Sequence, residues 1–441
     1  MTSDSAGAQV SASVSANIEV TPATASADQP VSIRLTGFVP GQTVRLTATM
    51  KDDADTAWQS HAVFRADDAG VVDVGSQESL SGTYLGVDRM GIFWSMLPGA
   101  EAGENVRFAK NTLSPMEVAV AAEADGETIA STTLTRRFLA QDVTRVEVRD
   151  SGLAGTLFHL TNGGPHPGVM IFGGSEGGLS EIRASLLASH GFAAFALAYF
   201  SFEHLPTELV EIPLEYFKTA IDWLQSHDAV QGDRLAAVGA SKGGELALLM
   251  GSTFPQIKAV VGYVPGAVAF NGIGRGVDDP GQGRSSWAYK GVPVPFVTRG
   301  DFDTSEDSQL LDTPVSLTPL YLKGLEDSDA VEKATTRVEN IQGPALLISG
   351  GDDQMWPSSV MADMVIKRLS EHNHPHPYEH LMYGNAGHSI GNPYVPSTVL
   401  SSLHAVRGIL TTPGGSAKEN AHASADSWPR MLEFLKRALK E

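Results

Sequence analysis

Two rhythms of apolar residues divide the chain. Up to about residue 140 they alternate with polar ones. Val31, Ile33 and Leu35 do so first, then Val44 and Leu46 after the turn Val39-Pro40-Gly41-Gln42, then Met116, Val118 and Val120. A period of two sends successive side chains to opposite faces, the pattern of short strands with one face in a core and the other in water. Turn residues such as Asp67-Asp68-Ala69-Gly70 separate these runs, and no capped helical pattern interrupts them. An antiparallel β-sandwich is expected over residues 17–140.

Beyond about Ala140 the rhythm changes. Solid apolar runs appear at Val169–Phe172, Phe192–Ala198, Leu235–Val238, Ala259–Val261 and Ala345–Ile348. Between them lie helical spacings, such as Leu214, Phe217, Ile221 and Leu224. The closing segment puts Trp428, Leu432, Leu435 and Leu439 on one helix face. Apolar strands alternating with amphipathic helices are the signature of a mostly parallel sheet covered on both faces. Residues from about Asn271 to Ser316 are rich in Gly, Pro, Ser and Asp, too long for a plain connection, and read as a lid, an excursion or a mobile loop.

Composition narrows the function. At about 150 residues per domain, 441 residues suggest two or three domains, and 42% hydrophobic residues suffice for a sizeable core. The formal charge of −20 argues against general binding to nucleic acid or to an anionic membrane, since both need a positive field. The absence of cysteine excludes disulfides, thiolate metal sites and a cysteine nucleophile. Residues 1–16 are rich in Ser and Ala, without the basic and apolar regions of a signal peptide, and read as a disordered tail. With no apolar stretch long enough to span a membrane, a cytoplasmic location is the default.

Two segments fit the pattern G-x-S-x-G, in which small residues let a serine sit on a tight strand-to-helix turn. They are Gly239-Ala240-Ser241-Lys242-Gly243 and Gly173-Gly174-Ser175-Glu176-Gly177. The first follows a strand and runs straight into the helical segment Glu245–Met250, so Ser241 is the expected nucleophile. The second runs into more glycine, which suits an oxyanion loop whose backbone N–H groups must approach a substrate oxygen. The donors expected are Lys242 N–H and one N–H from Gly174 and Ser175.

In the chain order Ser, Asp/Glu, His, the base is His388, on the small-residue loop Gly384-Asn385-Ala386-Gly387-His388-Ser389. The acid stands at the end of the run Ala345–Ile348, where Asp352 and Asp353 compete; spacing to Trp356-Pro357 favours Asp353. His372, His374 and His376 cluster around two prolines and read as a solvated loop rather than a metal site. No metal and no cofactor is expected.

With these residues placed, the chain resembles the acyl-CoA thioesterase and bile acid-CoA:amino acid N-acyltransferase family along nearly its whole length. In the first third the likeness rests on Ile18-Glu19-Val20-Thr21-Pro22, on residues 82–91 from Gly82 to Gly91, and on Phe93-Trp94-Ser95-Met96. It continues in the glycine loop Phe172–Leu179, in Arg183-Ala184-Ser185-Leu186-Leu187-Ala188, and in Ser241-Lys242-Gly243-Gly244-Glu245-Leu246. Asp352-Asp353, Gly387-His388, Pro393-Tyr394, Gly414-Gly415 and Trp428 complete it. The resemblance implies an α/β-hydrolase catalytic domain over 141–441, with the family's triad falling on Ser241, Asp353 and His388. It also implies a small-molecule acyl thioester or ester substrate; a monomer or small homo-oligomer is expected.

The family's amino acid-conjugating members look like cysteine enzymes, whereas its thioesterases use serine, so Ser241 favours hydrolysis. Transfer to an amine or alcohol, or cleavage of non-CoA esters, are the alternatives. The glycine loop departs from the family in carrying Ser175-Glu176 where relatives have a shorter run, and Glu176 borders the expected acyl pocket. Arg183 and Lys242 are the candidates to meet CoA phosphates, or else to neutralise carboxylates such as Glu245. The stretch Gly82–Met96 is too rich in small and apolar residues for a free surface and is expected to dock on the hydrolase part.

Overall fold

A computed structural model describes residues 15–103, 106–274, 277, 283–300, 313–403 and 409–440. Its centre is an eight-stranded sheet. From one edge the strands are Val143–Val148, Ala154–Leu160, Ala193–Ala198, His166–Phe172, Val230–Ala240, Ile257–Tyr263, Ala345–Gly350 and Tyr378–Tyr383. Ala154–Leu160 pairs antiparallel with both of its neighbours, Val143–Val148 and Ala193–Ala198, and every pairing beyond them is parallel. Reversal of the order at His166–Phe172 leaves a crevice beyond the strands' carboxyl ends, where open α/β sheets place their ligands.

Burial explains the two rhythms. All six residues of Ala193–Ala198 and all six of Ala345–Gly350 are buried, because helices cover both faces. Helix Leu214–Ser226 turns Leu214, Phe217, Ala220, Ile221 and Leu224 inward. The last helix, Ala417–Ala438, starts with a capping contact from Glu419 N–H to the Ser416 hydroxyl and buries Trp428, Met431, Leu432 and Leu435. Sequence reasoning missed the antiparallel edge, whose first strand is short and mixed in polarity.

The amino-terminal part holds two sheets. One joins Asn17–Thr21, Ser32–Thr36 and Val72–Asp73; the other is built around Glu127–Arg137, Met116–Ala124, Thr43–Lys51 and Ala57–Arg65. Thr43–Lys51 buries every second residue, Val44, Leu46, Ala48 and Met50. Ile33 and Leu35 of one sheet share a continuous apolar cluster with Val44 and Leu46 of the other. One helical turn, Gly91–Trp94, does occur here; it has no side-chain cap to announce it and is fully buried. The expected tail falls mostly on residues 1–14, outside the described residues.

Gly82–Met96 lies against the carboxyl-terminal part of the chain. Asp88 accepts from Trp94 Nε1 at 2.8 Å and from His422 Nε2 at 2.7 Å. Ser397 N–H donates to Trp94 O, and the Thr398 hydroxyl donates to Met96 O. The tip of the loop stays in solvent, with Leu85 and Val87 exposed. A second tie runs through Asp28, whose Oδ2 meets Trp428 Nε1 at 2.8 Å and His190 Nε2 at 2.6 Å.

Candidate active site

The strand Val230–Ala240 ends directly at Ser241, and the helix Lys242–Thr253 begins one residue later. So abrupt a turn forces Ser241 to φ 57° and ψ −122°, a region that non-glycine residues enter at a cost of roughly 1–3 kcal/mol. The turn is held from behind: Ser241 N–H donates to Tyr263 O at 2.9 Å, and Gly244 N–H returns to Ser241 O at 2.8 Å. The flanking glycines are needed for close approach. A Cβ on Gly239 would sit 1.9 Å from Gly243 O, and one on Gly243 would sit 2.3 Å from Gly173 O.

Three side chains distant in sequence meet here. His388 Nε2 lies 2.9 Å from Ser241 Oγ, across 147 residues of chain. His388 Nδ1 lies 2.9 Å from Asp353 Oδ2 and 3.0 Å from Oδ1. Asp353 is buried and further held by N–H groups of Met355 and Trp356 and by the Ser358 hydroxyl at 2.6 Å. Asp352 turns elsewhere, accepting from Gly415 N–H and Gln354 Nε2. With Nδ1–H donated to the carboxylate, Nε2 is left free to accept the serine proton.

The loop carrying His388 is fixed by partners that sequence reasoning missed. Asn420, fully buried in the last helix, accepts from Gly387 N–H at 2.7 Å and donates to Gly414 O at 3.1 Å. His388 N–H donates to Pro413 O at 2.7 Å. Trp356 meets the imidazole edge-on, with ring centroids 6.1 Å apart, and donates its Nε1–H to Val264 O.

Lys242 N–H opens its helix, where no preceding turn exists to accept from it, and Lys242 lines the cavity with Ser241. Its side chain is engaged. Nζ lies 2.7 and 2.8 Å from the two oxygens of Glu245, both residues being buried. Trp287 Nε1 donates to the same carboxylate at 2.7 Å. Burial holds the Lys242 ammonium below its usual range and the Glu245 carboxyl above its own. Of the two roles open to Lys242, the geometry gives neutralisation of Glu245; a phosphate contact is set aside.

Trp287 belongs to the expected excursion. Its described part forms a short ribbon, Trp287–Tyr289 with Val292–Pro293, paired to Ile212–Pro213, and the indole is fully buried. Residues 275–276, 278–282 and 301–312 of that stretch lie outside the described residues.

Gly174 and Ser175 line the same cavity, Gly174 so close that a Cβ on it would sit 3.3 Å from Ser241 Cβ. Gly174 N–H is engaged, donating to Glu176 Oε1 at 3.1 Å. Arg183 does not line the cavity; its guanidinium stacks 4.8 Å over the Tyr263 ring. The cavity holds about 310 Å³ and opens between Ser241, His388, Trp356, Tyr321, Leu317 and Ile390, with Val399, Leu403 and Arg107 at its border. His374 bonds Gly343 O and rests against His376, and no group of three metal-ligating side chains occurs among the described residues.

Known proteins agree in their likeness. Residues 212–441 match the family model described as BAAT / Acyl-CoA thioester hydrolase C terminal, and residues 28–150 match Acyl-CoA thioester hydrolase/BAAT N-terminal region. Acyl-coenzyme A thioesterase 1 of Mus musculus is 34% identical over 419 residues, covering 93% of this chain and 94% of the relative. The mitochondrial acyl-coenzyme A thioesterase 2 of Homo sapiens is 34% identical, with 93% and 82% covered. Bile acid-CoA:amino acid N-acyltransferase of Mus musculus is 32% identical, with 96% and 98% covered. Matched at both ends and at this identity along its length, the chain belongs to the acyl-CoA thioester hydrolase/BAAT family.

Proposed function

We propose that this protein is a serine hydrolase that cleaves acyl-CoA thioesters to free acid and CoA through an acyl-serine intermediate. The observation that carries the reading is the relay from Ser241 Oγ through His388 to buried Asp353, with each link at 2.9 Å. His388 takes the serine proton as Oγ attacks the thioester carbonyl. Asp353 holds the imidazole in its tautomer and balances its charge. The oxyanion is met by Lys242 N–H and by one N–H from Gly174 and Ser175, where Glu176 yields to the incoming oxygen. The thiolate leaves readily, since a cysteine-like thiol has a pKa of about 8.5. His388 gives the serine proton to the departing thiolate, then takes one from water as the hydroxide attacks the acyl-serine, and returns it to Ser241 Oγ as the free acid leaves.

We further infer that the two amino-terminal sheets form a β-sandwich domain over about 17–140, walling one side of the cleft of an α/β-hydrolase domain over 141–441. The continuous apolar cluster and the contacts of Asp88 and Trp94 support this division. Ser241→Ala and His388→Ala are each expected to remove most turnover of an acyl-CoA panel, by about 10⁶-fold on a serine-hydrolase precedent. Near-normal turnover in Ser241→Ala would overturn the assignment. Mass analysis of products with glycine or taurine present separates hydrolysis from amine transfer.

A further inference from the structure

An acyl-CoA carries its negative charge on a 3′-phosphate and a pyrophosphate, far from the thioester. A chain of charge −20 repels such a ligand at long range, so some local cation must receive it. Lys242 is closed off by Glu245, and Arg183 lies outside the cavity lining. Arg107 remains. It borders the same cavity as Ser241, is exposed, and makes no hydrogen bond or ion pair among the described residues.

Its backbone is anchored. The next residue, Phe108, packs edge-on to buried Trp58 with centroids 5.4 Å apart. Ala109 N–H donates to Asp52 Oδ2 at 3.1 Å, and Asp53 N–H returns to Ala109 O at 2.9 Å. Lys110 closes the clasp on Asp53 at 2.9 Å. With Phe108 packed on Trp58, the neighbouring Arg107 lines the cavity. A guanidinium is suited to phosphate, presenting a planar fork of N–H donors.

We propose that Arg107, supplied by the amino-terminal part of the chain, binds a phosphate of the CoA moiety and so sets the enzyme's preference for CoA thioesters over uncharged ones. This rests on the hydrolase reading above. The test compares an acyl-CoA with the same acyl group on N-acetylcysteamine, a thiol without phosphates. Arg107→Ala is expected to raise KM for the acyl-CoA roughly three- to tenfold, as for one partly exposed charge-assisted contact. Its kcat should stay within about twofold, and the N-acetylcysteamine thioester should be unaffected.

Arg107→Glu should be worse, and Arg107→Lys should recover part of the loss. Calorimetric binding of free CoA should weaken by a similar factor, a readout that needs no turnover. An unchanged KM and CoA affinity, or equal effects on both thioesters, would overturn the role of Arg107. Failure of the parent to turn over either thioester would instead overturn the hydrolase reading.

Discussion

The ion pair next to Ser241 gives the sharpest test of how the site is held. Glu245 accepts from Lys242 Nζ twice and from Trp287 Nε1, at 2.7–2.8 Å, in a place no water reaches. Glu245→Leu leaves an ammonium and an indole N–H buried without an acceptor. Breaking one side of a buried pair costs about 3–5 kcal/mol, a large share of the roughly 5–15 kcal/mol of a typical fold. Replacing both charges, as Lys242→Met with Glu245→Leu, removes the stranded charge and leaves only the indole N–H unsatisfied, at about 1–3 kcal/mol. The double variant is therefore expected to be more stable than the single one by about 2 kcal/mol.

Equilibrium urea unfolding followed by tryptophan fluorescence measures both, and turnover measures whether the start of the helix keeps its place. Because the oxyanion role proposed for Lys242 belongs to its backbone N–H and not to its side chain, the double variant should retain most of kcat. A single variant within about 1 kcal/mol of the parent would refute the reasoning, as would a double variant no better than the single.

Two further predictions follow from the packing. Gly243→Ala drives a methyl to 2.3 Å from Gly173 O, where the far side is backbone and cannot yield; loss of about 1–3 kcal/mol and of most activity is expected, read by urea unfolding and turnover. The contact between Asp88 and His422 should be pH-dependent. Its hydrogen bond to Asp88 raises His422 above its ordinary 6.5, against the pull of burial. Burial pushes Asp88 up from 3.8, but the hydrogen bonds from His422 and Trp94 outweigh it and lower it. The histidine's share is lost as pH rises through its raised value, and the aspartate's as pH falls through its lowered one. Asp88→Asn should thus cost most between about pH 4 and 6.5 and little at alkaline pH. Being partly exposed, the pair is worth about 1 kcal/mol or less. A melting-temperature difference that did not vary with pH would sink this.

What could be read in the sequence follows from the range of the forces involved. The motif around Ser241 was legible because close approach admits only glycine at 239 and 243, a constraint written locally. The sheet's parallel strands were legible because burial on both faces leaves an unbroken apolar run. The choice of Asp353 over Asp352 turned on two residues of spacing to Trp356-Pro357, and the structure turns Asp353 toward His388 and Asp352 toward Gly415. Trp287, Asn420 and Arg107 were not legible. Trp287 meets Glu245 across 42 residues and Asn420 meets Gly387 across 33, and neither sits in a local pattern that announces its partner. An exposed arginine in an irregular loop looks like any other surface cation until the cavity beside it is known.

Asn420 has a further consequence for anyone cutting or grafting this chain. The loop on which the imidazole hangs is closed by an amide in the final helix, so on the proposed mechanism that helix is a working part of the site rather than a trailing cover. Shortening the chain before Ser416 would leave Ser241, Asp353 and His388 all present, yet unclamp the loop that carries His388, and on the proposed mechanism the resulting protein would keep its nucleophile while losing the aim of its proton acceptor.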